Sequence, residues 1–352
     1  MHVLRGGRSL LVTLFVVTAA LAAPPPPAPA PPVATSAAVT SLLLPGAPPD
    51  GVALDYLVVD RARHRVWVPA GGTGSADVID TRTQAISRVE KFPVADVERN
   101  GKKRKVGPSS ATLGDGVVYV GDRADSSVCA VDAVTLERRG CATLASMPDG
   151  VAFVAGTKEV WVTTPRDQSI VILDVKTPGA PKTAGRITLD GDPEGYAVDD
   201  GHGFFYTNLE DKDRTLRIST QTRKVTATWM PACGEEGPRG LALSEDGRFL
   251  MVACTDHVEA LAASADGRIL SKVETGAGVD NLDFLPAQRT VYAAAAGAAT
   301  LTVARLDEEG TLLRISSSPT AKGARNAVVT DEGIAYVADG PEGKILVVRP
   351  AG

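Results

Sequence analysis

Val66-Trp67-Val68 is an unremarkable apolar triplet until its echoes are found: Val118-Tyr119-Val120, Val160-Trp161-Val162, Val291-Tyr292-Ala293 and Ala335-Tyr336-Val337. With Tyr206 and Met251 these centres form a series of seven, spaced 52, 42, 45, 45, 41 and 44 residues apart. Between them lie only strand-like runs and Gly, Pro and Asp turns. A period in the forties built from strands alone predicts a four-stranded unit repeated around an axis. One such sheet has two apolar faces and hides neither by itself, so neighbouring units must stack. Gaps between radiating sheets widen outward, and the bulky centre of each second strand has the size to fill them. The expected fold is all-β, a seven-bladed propeller over residues 38–350.

The order within a repeat is constant. A Pro-, Gly- and Asp-rich loop leads into a short strand such as Gly240-Leu241-Ala242-Leu243, and a tight turn such as Asp115-Gly116 or Asp246-Gly247 follows. After the bulky-centred strand comes a third strand ending in Asp, as in Val78-Ile79-Asp80, Ala130-Val131-Asp132 and Ile172-Leu173-Asp174. Asp there can bond the backbone just ahead of it and start the next turn. The last repeat stops after Lys344-Ile345-Leu346-Val347-Val348, one strand short, whereas Val39-Thr40-Ser41-Leu42-Leu43-Leu44 precedes the first repeat without a blade of its own. That segment is expected to close the ring as the missing strand of the last blade, covering an open edge.

Ahead of the propeller, Arg5 and Arg8 flank the apolar run 9–19 and Ala20-Leu21-Ala22, the pattern of a signal peptide over 1–22. The run is shorter than the ~20 residues that span a bilayer; an N-terminal anchor is the alternative. Residues 23–37 contain Pro24-Pro25-Pro26-Pro27 and further prolines, an extended tether. The expected location is the periplasm or the medium. The whole chain carries a net charge of −5; loss of Arg5 and Arg8 leaves 35 cations against 42 acids, or −7. This mild acidity argues against nucleic acid as a partner. The long first interval holds Asn100-Gly101-Lys102-Lys103-Arg104-Lys105, read as a solvated basic loop, with phosphate binding as the alternative.

Four cysteines in an exported chain permit two disulfides. Cys129 and Cys141 flank the turn at Val134-Thr135, and Cys233 and Cys254 bracket the entrance to one blade, so locality suggests 129–141 and 233–254. Four cysteines allow three pairings, and buried free thiols are the alternative. No Cys-x-x-Cys or Cys-x-x-Cys-His is present, and neither zinc, haem nor any other cofactor is expected.

The run Asp55-Tyr56-Leu57-Val58-Val59-Asp60, the segment Arg65-Val66-Trp67-Val68, and the Val-x-Asp-x-x-Thr-like stretches Ile79-Asp80-Thr81-Arg82-Thr83 and Val131-Asp132-Ala133-Val134-Thr135 resemble the exported YncE-like, YVTN-repeat β-propellers of bacteria. The resemblance spans roughly the whole repeat region and implies a binding or scaffolding module of the cell envelope. It also carries a proposal of DNA binding, which the acidic charge opposes. The Gly-His and Trp-Asp pairs of WD40 repeats do not recur.

Propeller ligands gather on the axis, where the innermost strands begin. Counting about twelve residues back from each bulky centre gives Asp55, Ser109 with Ser110, Asp149, Glu194, Arg239, Asp280 with Asn281, and Arg325 with Asn326 as the axial-mouth candidates. Each must pair, meet water or meet a ligand, and Glu194–Arg239 is the expected neutralising pair across a water-filled channel. The reading is a non-catalytic, monomeric binding module taking a protein or small molecule there. The alternative is a divalent-metal hydrolase of the lactonase type, with Asp55, Glu194, Asn281 and Asn326 as oxygen ligands. An antibiotic-lyase propeller with a catalytic His is weaker still. Of the mature histidines, His64 and His202 fall near turns, and His257 is expected to be solvated at a rim.

Overall fold

A computed structural model describes residue 2 and residues 38–99, 101–177 and 179–349. Apart from residue 2, the expected signal peptide and tether lie outside these residues. Seven four-stranded antiparallel sheets are arranged about one axis. Their innermost strands are Val58–Asp60, Pro108–Gly114, Val151–Val154, Pro193–Asp199, Leu241–Leu243, Val279–Leu285 and Ala324–Val329. Blades 1 to 6 each run outward in chain order. Blade 7 does not: its outermost strand is Ala38–Leu43, paired with Lys344–Arg349 in a register that sets Ala38 opposite Arg349 and Leu43 opposite Lys344. The closing strand is where the leftover N-terminal segment predicts it. Leu44, just beyond it, is 1% exposed, and its N–H donates to the Gly343 carbonyl at 3.0 Å.

The bulky centres do the work that the widening gaps require. All seven are buried, and each packs against the following blade. Trp67 lies with Ala111, Val118 and Val120 of blade 2, and Tyr119 with Val151, Val160 and Val162 of blade 3. Trp161 packs against Phe205 of blade 4, with ring centroids 5.0 Å apart and planes tilted by 35°. Tyr206 meets Leu241 and Leu250 of blade 5, Met251 meets Phe284 and Val291 of blade 6, and Tyr292 meets Val329 and Val337 of blade 7. Tyr336 completes the circuit against Val66, Val68 and Leu54 of blade 1. The core is therefore seven apolar layers between sheets. The polar turns follow from the same repeat. Asp80 Oδ1 accepts N–H bonds from Arg82 and Thr83, and Asp132 Oδ1 accepts them from Val134 and Thr135. Those backbone donors hold the Asp132 carboxyl down at about 2.

Two disulfides, Cys129–Cys141 and Cys233–Cys254, match the pairing suggested by locality. Cys129 faces Cys141 across adjacent strands of blade 2. Both bonds fit an oxidising compartment. No helix among the described residues is long and apolar enough to cross a membrane.

One expectation is corrected. The basic segment is not a loop but a hairpin, Ala95–Arg99 with Lys102–Val106. Gly101, at φ +70°, helps to turn the chain back, and the register places Asp96 against Lys105, with an ion pair at 3.1 Å, and Glu98 against Lys103. Acids contributed by the preceding strand offset part of a charge run that looks purely cationic in sequence.

The closing strand should be the weak point of the ring. Deleting residues 24–45 removes Leu44, worth about 2–3 kcal/mol of apolar burial by itself, and bares the edge of Lys344–Arg349. Thermal unfolding of the truncated chain should occur at a markedly lower temperature than that of the mature chain; equal melting temperatures would refute the role assigned to this strand.

Candidate functional site

The innermost strands begin on one rim, and so do the turns joining the second and third strands of each blade. Side chains from both sources meet on the axis. At the centre is Tyr56, just before the innermost strand of blade 1. Its N–H bonds the Ser109 carbonyl, and its carbonyl accepts from Ala111 N–H, so it is stitched to blade 2. From there the ring crosses the axis to blade 4. The hydroxyl donates to Glu194 Oε1 at 2.9 Å, lies 3.3 Å from Asp149 Oδ2, and accepts from Gly195 N–H at 3.1 Å. Gly195 permits this approach: its φ is +66°, and a Cβ there would fall 2.6 Å from the Arg239 carbonyl. Tyr196 stacks on Tyr56 with ring centroids 5.7 Å apart.

Around the phenol lie one linked network and two separate ion pairs. Arg123 donates to Asp55 at 2.7 Å and also to Asp149, and Asn326 Nδ2 donates to Asp55 at 3.2 Å. Arg325 pairs with Asp280 at 3.3 Å. Arg239 pairs with Glu210, in the second turn of blade 4. Five carboxylates thus face three guanidiniums in a half-buried ring, with Asp149 buried and Arg325 exposed. Burial pushes the Asp55 carboxyl up to about 6, with Arg123 pulling down and Asp149 and Asp280 pushing up. Burial likewise raises Asp149, and raises Glu194 well above the usual carboxylate range, with Asp149 and Asp280 adding to the effect. The physics is simple: neighbouring acids at low dielectric cannot all ionise. The single phenolic proton cannot serve both Glu194 and Asp149, so a proton held on one of the acids completes the set.

The axial candidates are thus mostly brought together. Asp55, Asp149, Glu194, Asp280, Arg325 and Asn326 join the ring, and Arg239 joins at its edge. The expected Glu194–Arg239 pair is not formed, because Glu210 reaches the guanidinium first while Tyr56 takes Glu194. Ser109 contributes its carbonyl; its hydroxyl and that of Ser110 are buried. Asn281 turns back, its Oδ1 accepting from Leu282 N–H at 2.9 Å. Of the set Asp55, Glu194, Asn281 and Asn326, Asp55 already has the Arg123 guanidinium as its cation and Glu194 accepts from Tyr56, whereas Asn326 Oδ1 is buried without a partner. His257 is also corrected. It is 9% exposed, not solvated, and its ring lies between Asp256 at 2.6 Å and Glu259 at 3.2 Å.

Tyr56, Arg123, Glu210 and Tyr196 escape a count based only on the entries to innermost strands. Arg123 and Glu210 sit four residues after the bulky centres Tyr119 and Tyr206, at the turn that shares the rim, so the same repeat carries their signal. Asp122 launches that turn in blade 2, accepting Ala124 N–H at 2.7 Å through Oδ1 while its buried Oδ2 has no partner.

Solved structures share the fold. They include virginiamycin B lyase from Staphylococcus aureus (TM-score 0.68, 13% identity, covering 89% of this chain and 99% of that one) and a chain of a mitotic checkpoint complex (0.71, 12%, 97% and 100%). Hydrazine synthase of Kuenenia stuttgartiensis is a further one (0.70, 14%, 86% and 97%). At such identities the likeness is one of fold. No family model and no curated protein matches the sequence.

Two measurements probe this site. Tyr56→Phe removes the hydroxyl on which Glu194, Asp149 and Gly195 converge, and should cost about 1–3 kcal/mol in urea unfolding; a loss under about 0.5 kcal/mol would show that the network does not depend on it. Burial raises Asp122 to about 7 from 3.8. With the folded value above the unfolded one, its proton favours folding fully below about pH 4, and that contribution is lost as pH rises through 7. Asp122→Asn keeps the Oδ1 acceptor, so its stability relative to wild type should improve steadily between pH 4 and 8. A difference independent of pH would overturn this assignment.

Proposed function

We propose that this chain is an exported, non-catalytic binding module of the YVTN-repeat type, and that its axial mouth takes a cationic group, an ammonium or guanidinium carried by an envelope protein or a small molecule. The observation that carries this reading is the excess of acids: Asp55, Asp149, Glu194, Asp280 and Glu210 against Arg123, Arg239 and Arg325. An arriving cation would replace protons that the crowded acids now retain, and the drier the site, the more each charge contact is worth. The signal-like N-terminus, the two disulfides and the repeat motifs support export. A hydrolase that needs a divalent ion is disfavoured, because an internal guanidinium holds the acids such an ion would use.

The test is thermal shift with spermidine and with a short Lys/Arg peptide, set against a Glu/Asp peptide and calcium. Either cationic probe at tenfold its Kd should stabilise the wild type by about 1.4 kcal/mol, and Glu194→Gln should blunt the shift. Stabilisation by calcium alone would favour the hydrolase reading; no response to either organic cation would defeat the proposed one.

A further inference from the structure

Away from the mouth, blade 5 gathers a second set of chemically capable groups. The strand Phe249–Ala253 ends in the turn Cys254-Thr255-Asp256, and His257–Ala262 begins at once. The Cys254 N–H bonds the His257 carbonyl at 2.9 Å, which makes this turn tight. His257 and Glu259 alternate on one strand and therefore share a face. The donor atoms of Cys254, His257 and Glu259 lie within 4.8 Å of one another, the one such group among the described residues. Cys233 reaches the same point, since its sulfur is bonded to that of Cys254.

Two features give this group the look of a site. The imidazole is oriented from behind, Nδ1 against Asp256 at 2.6 Å, leaving Nε2 directed at Glu259; a carboxylate behind a histidine is the usual outer support of a metal ligand. Glu259 is 3% exposed, and its Oε2 is buried with no partner. A buried carboxylate oxygen without a donor is costly, and a cation would satisfy it. The disulfide is not what places Cys233. Its N–H donates to Asp213 Oδ1 at 3.0 Å, and Gly234 N–H donates to Asp213 Oδ2 at 3.2 Å. Those bonds are independent of the sulfur's oxidation state.

We propose that blade 5 holds a reduction-gated site for a tetrahedral divalent ion of the zinc class, with Cys233, Cys254, His257 and Glu259 as its four ligands. In the oxidised protein the two sulfurs are tied to each other and the site is closed. A dithiol delivers two electrons and two protons to the Cys233–Cys254 bond and itself becomes a disulfide, leaving two thiols. Zinc then binds both as thiolates, their two protons passing to solvent, with Nε2 and one Glu259 oxygen completing the shell. Ligand atoms around tetrahedral zinc stand about 3.3–3.8 Å apart, so the spread of Cys254, His257 and Glu259 has to contract by about 1 Å, while the two sulfurs, freed of their bond, move apart to about 3.8 Å. The other disulfide has no such surroundings: Cys129 lies among Val118, Val131 and Ala133, with the Ser127 hydroxyl at 3.8 Å as its polar neighbour.

The test uses the full mature chain carrying Cys129→Ser and Cys141→Ser, so that blade 5 holds its sole cysteines. Oxidised protein should retain no zinc through desalting. After reduction with a phosphine, which takes up water oxygen as it frees the thiols, it should retain one equivalent. Cobalt in place of zinc should give the sulfur-to-metal charge-transfer and ligand-field bands of a tetrahedral thiolate site. Glu259→Gln, His257→Ala and Asp256→Asn should each weaken binding about tenfold or more. Zinc should also raise the melting temperature of the reduced protein and not of the oxidised. Equal metal retention in both redox states, the same cobalt spectrum in Cys233→Ser/Cys254→Ser, or a reduced chain that unfolds and is not restored by zinc would each overturn the proposal.

Discussion

Everything in this molecule hangs on one antiparallel pairing, Ala38–Leu43 with Lys344–Arg349. Seven sheets in a row would expose an apolar face at each end of the stack. Joined into a ring they expose none, because Tyr336 of the last blade then finds Val66 and Val68 of the first. Only a closed ring has an axis, and only an axis brings Asp55 of blade 1, Asp149 of blade 3, Glu194 of blade 4 and Asp280 of blade 6 into one electrostatic neighbourhood. Residues far apart in the chain thus owe their meeting to a strand that none of them touches.

That meeting has a cost which the mouth manages internally. Guanidiniums from blades 2, 5 and 7 neutralise part of the acid excess, retained protons neutralise more, and Tyr56 bridges what remains. Replacing the phenol by a purely apolar plug would strand Glu194 and Asp149 without a donor. Replacing the acids by apolar groups would be less costly for folding, since buried ion networks seldom out-stabilise well-packed hydrocarbon. A network that stability does not demand, on the face where every blade converges, is the observation on which the proposed binding role rests.

The sequence and the structure agree best where one physical demand repeats. Blade number, bulky centres, ring closure and both disulfides were legible because spacing and locality determine them. The mouth was legible by position and not by partner. Inner-strand entries located Asp55, Asp149 and Glu194, but pairing depends on side-chain reach across the axis, which no period encodes. Glu210 captured Arg239 because its turn lies on the same rim, four residues past Tyr206, and Tyr56 reached Glu194 because an aromatic ring spans a distance that Asp55 beside it does not. The basic hairpin is hidden in the sequence for a related reason: Asp96 and Glu98, which offset its cations, precede the run and oppose it only once the strands fold back.

The two disulfides make the same point about surroundings deciding chemistry. Both close short stretches, of 12 and 21 residues, and on loop entropy alone they would stabilise the fold comparably, by about 3 kcal/mol each. Cys129 sits in hydrocarbon at the seam between blades, where a freed thiol would behave as one more small apolar group, and its partner Cys141 is exposed on the outermost strand with no imidazole or carboxylate set beside it. Cys233–Cys254 sits beside an oriented imidazole and an unpartnered carboxylate, held by a loop that Asp213 anchors without help from sulfur. A purely structural bond needs none of those companions. Their presence at one pair and absence at the other separates a staple from a site, and the same loop runs on from Cys233 to Arg239, so the two polar centres of this propeller share a single stretch of chain.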